Sequence, residues 1–89
     1  MTYSVAIRTL GTAGDKFRQE LESIKNQTIQ PDKVIVYIAE GYPRPDFQIG
    51  KEEYVWVKKG MVAQRTLPYE EIKSDVIEIV NIIKGVIAR

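Results

Sequence analysis

Apolar and polar positions alternate between two regimes along this chain. Val5, Ala6 and Ile7 form a short continuous apolar run inside Tyr3 to Thr9. Such a run fits a strand covered on both faces. Leu10 to Gly14 (LGTAG) is a small-residue turn, with Thr12 and Asp15 spaced to start a helix. Phe17, Leu21 and Ile24 then fall on one face of a helix predicted from Asp15 to Lys25, and Pro31 forbids its continuation. Lys33 to Ala39 (KVIVYIA) is β-branched and aromatic throughout and predicts a second strand. The intervening helix is long enough for a parallel crossover. Glu40 to Gly50, with Gly41, Pro43, Pro45 and Gly50, reads as a loop. Glu53 to Val57 (EYVWV) reads as a short third strand, with Trp56 expected in the core. Met61 to Lys73 predicts a helix interrupted at Pro68.

The tail from Ser74 to Arg89 supports two readings. Apolar residues at 76, 77, 79, 80, 82, 83, 86 and 87 leave Glu78, Asn81 and Lys84 three apart. That spacing favours a buried helix with one wet stripe. The abundance of Ile and Val argues for a strand instead. The elements together predict one α/β domain over residues 1–89. Its sheet is open and mostly parallel, of three or four strands, with flanking helices.

Composition narrows the chemistry. The chain has 89 residues, 44% hydrophobic and 28% charged, and its 13 basic and 12 acidic residues leave a net charge of +1. No general attraction to nucleic acid or anionic lipid follows from that balance. Histidine and cysteine are both absent. This removes the usual general base, the usual transition-metal ligand and every thiolate or Ser-His mechanism. No apolar run reaches the roughly 20 residues of a membrane span, and no leader pattern opens the chain, so a cytoplasmic location is expected.

In a parallel sheet the carboxyl ends of three strands would carry Arg8 and Thr9, Glu40, and Lys58 with Lys59, with Arg65 shortly after. Cations on one rim suit a diphosphate, and a carboxylate beside them suits a base or ribose. Solvated charges at strand ends are the plainer alternative. Gly11 and Gly14 give only GxxG, and there is no GxxxxGK[ST]. A dinucleotide fingerprint and a P-loop are both missing. Glu52-Glu53 and Glu70-Glu71 are adjacent pairs that point apart, so they form no acid–base couple. Tyr42, beside Glu40, is an aromatic placed where it could stack on a base.

Taken in order, several segments resemble the N-terminal part of family 2 glycosyltransferases, which have the GT-A fold. These are the strand Ser4 to Thr9, Ser23-Ile24-Lys25-Asn26-Gln27-Thr28 at the helix end, and Tyr37-Ile38-Ala39-Glu40-Gly41-Tyr42 after strand two. Lys58-Lys59-Gly60-Met61-Val62-Ala63-Gln64-Arg65 and the step Lys73-Ser74-Asp75 follow. The resemblance covers about residues 3–75 and leaves 76–89 divergent. It implies the nucleotide-binding half of an enzyme transferring a hexose from a nucleotide-diphospho-sugar. Thr9 would then meet the nucleoside, Glu40 the base, and Arg65 the base or phosphates. Arg8, Lys58 and Lys59 would stand on the phosphate side. The family uses Mg or Mn held by a DxD motif after its fourth strand, which it places from about Val76 to Val80. Here that place reads Val80-Asn81-Ile82-Ile83, and Ala39 stands where the acidic turn has its first Asp. No cofactor is evident, and the acceptor half and catalytic base have no counterpart. The expectation is a donor-binding piece, inactive alone, with no catalytic residue. The alternative expectation is a non-catalytic α/β module that forms a homodimer through its apolar C-terminal tail.

Overall fold

The computed structural model describes residues 2–9, 15–60, 72–83 and 86–88. The elements are β1 (Tyr3–Thr9), α1 (Asp15–Lys25), β2 (Val34–Ala39), β3 (Glu52–Val57), β4 (Val76–Ile83) and β5 (Val86–Ala88). They build one five-stranded sheet in the order β3-β2-β1-β4-β5. β1 pairs in parallel with both β2 and β4, and β2 pairs in parallel with β3. Only β5 runs antiparallel, folding back on β4 at the edge. The expected open, mostly parallel α/β sheet is therefore present, one strand wider than the sequence suggested.

Alternation along β1 assigns the two faces of the sheet. Val5 and Ile7 face α1 and pack with Phe17, Leu21, Ile24, Val34, Val36, Val80 and Ile82. Ala6 faces the other way, with Ile35, Tyr37 and Ile72. Every residue of β2 is buried, as a strand covered on both sides requires. The α1 face was legible from the sequence: Phe17, Leu21 and Ile24 are all buried. The end of α1 is closed by Gln30, whose side-chain amide donates to the carbonyls of Ile24 (3.2 Å) and Lys25 (3.0 Å), which a helix end leaves without helical partners, and to that of Gln27 just beyond (2.6 Å).

The helical reading of the tail is corrected here: residues 76–83 are strand, followed by the β5 strand. The physical reason is that pairing with β1 buries Val80 and Ile82 on the α1 face while Ile77 packs on the other face, so apolar residues stand on both faces of the strand. Glu78 and Asn81, which looked like one wet stripe, stand on opposite faces of the sheet. Glu78 is level with Val5 and Asn81 with Arg8. The expectation for Trp56 is also corrected, because its side chain is 41% exposed at the edge strand. The helix expected from Met61 to Lys73 falls largely outside the described residues, as does Arg65. No helix among the described residues is long and apolar enough to cross a membrane.

A polar clasp fastens the amino ends of the inner strands. The backbone N–H of Thr2 donates to the Asp75 carboxylate (3.1 Å), and the Asp75 N–H donates to Thr2 Oγ1 (3.0 Å). Ser4 and Ser74 share a hydroxyl hydrogen bond of 2.6 Å, and Ser74 donates on to Asp32 (3.3 Å). Lys73-Ser74-Asp75 thus sits at the end of the sheet opposite the carboxyl rim.

Candidate nucleotide-binding rim

The chain runs from β1 outward through β2 to β3, then returns to the other side of β1 as β4. Neighbouring connections therefore diverge at the carboxyl ends of β1 and β4. In open parallel sheets ligands bind outside the strand ends at such a point. Residues 10–14 and 84–85, which border this crevice in sequence, lie outside the described residues.

Register places three of the expected site residues along this rim. Thr9 is level with Ile38, and Ala39 is level with Val57. Thr9, Glu40 and Lys58 therefore follow one another across three adjacent strands. Glu40 and Lys58 stand two residues beyond the level of Thr9, so with strands about 4.8 Å apart and about 3.3 Å per residue the row spans about 12 Å. Their environments differ. Thr9 is 1% exposed and bonded within the protein, on the face that carries α1. Glu40 is exposed, and its N–H donates to the Val57 carbonyl (2.8 Å), extending the β2–β3 ladder by one residue. Lys58 and Lys59 are exposed just beyond β3.

Arg8 lies one residue back from Thr9 and on the other face. It is level with Tyr37 on one side and Asn81 on the other, and is 2% exposed. Its guanidinium is enclosed beneath the rim rather than displayed on it, and it is engaged within the protein. The rim cations open to solvent among the described residues are thus the two lysines.

Sequence reasoning missed Asn81, which the helical reading of the tail had placed on a solvated stripe. Its Oδ1 is buried and accepts no hydrogen bond from the described residues. The signal for it was the strand that the resemblance to family 2 glycosyltransferases implies from about Val76 to Val80. At this end of β4 the side chains offer one amide oxygen and no carboxylate. Magnesium and manganese prefer several hard oxygen ligands, so this donor set does not fit them. Among the described residues no three acidic side chains gather elsewhere into a metal site.

The loop 40–51 packs an aromatic cluster beside the rim, on the α1 face of β3. Phe17 contacts Phe47 (6.0 Å between centroids) and Tyr54 (6.4 Å), and Tyr54 contacts Trp56 (6.1 Å). Arg44 lies 5.1 Å over the Tyr54 ring. Trp56 Nε1 donates to the Tyr42 carbonyl (2.9 Å), holding the loop start against the strand. Tyr42 is half-buried by this packing. The loop's far end is fixed by Glu52, whose buried carboxylate accepts from the N–H groups of Ile49 (2.9 Å) and Gly50 (2.7 Å). Burial of Tyr54 raises its phenol to about 12, with Glu52 adding to the rise and Arg44 opposing it.

Comparison with protein-family models, with curated proteins and with solved structures gives no match for this chain.

Proposed function

We propose that this chain binds the nucleoside diphosphate part of a nucleotide-diphospho-sugar, as the donor-binding half of a glycosyltransferase-like domain. The observation that carries the reading is the parallel order β3-β2-β1-β4, with its point of divergence beside Thr9. The motif order from Val5 to Asp75 supports it from the sequence side. On this reading Thr9 borders the nucleoside and Glu40 accepts a hydrogen bond from the base or ribose. Lys58, Lys59 and Arg65 balance the diphosphate. Arg8 supports the rim from below. The lysines, and not a divalent ion on β4, meet the phosphate charge.

Isothermal titration with uridine and guanosine diphosphates tests this. The expected result is binding with Kd on the order of 0.1–1 mM. It should weaken as salt is raised and be unchanged by manganese. Lys58→Ala and Arg65→Ala should each weaken it several-fold. No heat at millimolar nucleotide contradicts the reading.

A further inference from the structure

The chain has one tryptophan, Trp56, and its indole is held in place without being covered. Tyr54, two residues back on the same face of β3, packs against the ring at 6.1 Å between centroids. Nε1 donates to the Tyr42 carbonyl at 2.9 Å, so the polar atom of the ring is satisfied. Trp56 is nevertheless 41% exposed. A single exposed apolar side chain means little by itself. This one is set apart by its anchor. β2 ends in a turn in which the Tyr42 N–H donates to the Ala39 carbonyl (3.3 Å), with Gly41 at φ 95° inside it. That turn carries the exposed Glu40 and, two residues on, the carbonyl that grips the indole. The Glu40 N–H donates in turn to the carbonyl of Val57, the residue after Trp56 (2.8 Å). Carboxylate and indole are thus tied to one turn from both sides. Lys58, also exposed, follows Trp56 by two residues, about 7 Å along the chain.

We infer that Trp56 is the platform on which the nucleobase stacks, with Glu40 at the edge of the base and Lys58 toward the phosphates. The assignment rests on the nucleotide reading of the rim, and it gives the base the indole in place of the half-buried Tyr42 ring. A flat base covers the open indole at little ordering cost, because the ring is already held. The Glu40 carboxylate only accepts hydrogen bonds, which suits the ring N–H that uracil and guanine both carry on their pairing edge. A ribose bridges the step from base to phosphate, and Lys58 stands such a step beyond the ring. A purely apolar partner would cover the same indole but strip water from Glu40 and Lys58 without replacing it. A nucleotide supplies a partner for each.

Because no other tryptophan is present, intrinsic fluorescence reports this ring directly. The full chain is titrated with uridine diphosphate, guanosine diphosphate and inorganic pyrophosphate, followed by calorimetry and by emission corrected for nucleotide absorbance. Both nucleotides should quench the emission in step with the calorimetric isotherm, whereas pyrophosphate, which has no base, should not. Trp56→Leu should weaken nucleotide binding about tenfold and leave the weak pyrophosphate binding unchanged. Trp56→Phe keeps a flat ring and should lose no more than about threefold. Nucleotide heat with unchanged emission overturns the stacking and leaves the rim reading in place. The same holds for a Trp56→Leu chain, folded by circular dichroism, that binds nucleotides as wild type does or loses pyrophosphate and nucleotide equally. Absence of both heat and quenching overturns the rim reading, and the stacking with it.

Discussion

Gly41 has φ of 95°, a conformation L side chains rarely adopt, and nothing lies within 4 Å of where a Cβ would stand. The strain of a side chain there is therefore purely backbone. Gly41→Ala should cost about 1 kcal/mol in urea unfolding, with no change in the slope of the transition. Tyr54 gives a second test at this scale. Its hydroxyl is buried without a hydrogen-bond partner among the described residues, and burial pushes its phenol up to about 12. The folded state thus holds the proton more tightly than the unfolded chain, whose tyrosines titrate near 10. The resulting stabilisation is present below pH of about 10 and is lost as pH rises toward 12. Ultraviolet difference titration should include a late step from Tyr54. Tyr54→Phe should remove that late step and leave stability unchanged or slightly higher, because the buried hydroxyl satisfies nothing. A loss above about 2 kcal/mol would show that the hydroxyl is bonded.

At the level of elements, β4 separates what the sequence disclosed from what it concealed. β1, α1, β2 and β3 were readable because each carries one clear periodicity or one continuous apolar run. β4 was not, because it carries apolar residues on both faces, Val76 and Ile79 among them exposed, and its sequence loses the period of two. Glu78 and Asn81 then mimicked a helical stripe while pointing to opposite sides. Trp56 misled in the opposite way: aromatic character suggested a core position, but β3 is an edge strand and the indole is held by the Tyr42 carbonyl. The row of Thr9, Glu40 and Lys58 was legible, because it needs only the strand ends and a parallel sheet. The enclosure of Arg8 was not, because burial of a charge depends on what covers the opposite face. The β4 assignment predicts an uneven alanine scan. Ile82→Ala, fully buried, should cost about 2–5 kcal/mol. Ile79→Ala, whose side chain is 38% exposed, should cost less than half as much in the same denaturant series.

For the whole molecule, the two ends of the sheet have different work. The amino end is closed by the Thr2–Asp75 and Ser4–Ser74–Asp32 clasp, where polar side chains satisfy one another. The carboxyl end leaves Glu40, Lys58 and Lys59 exposed in a row beside the point where the chain changes direction. That asymmetry is what the nucleotide reading rests on, and it gives the reading a spatial test. Amide resonances of the ¹⁵N-labelled chain, followed while uridine or guanosine diphosphate is added to millimolar concentration, report both ends at once. Nucleotide binding at the rim predicts shifts concentrated at Thr9, Glu40 and Lys58, with Thr2, Asp32 and Asp75 unmoved. An unchanged spectrum, or shifts centred on the amino-end clasp, would contradict it.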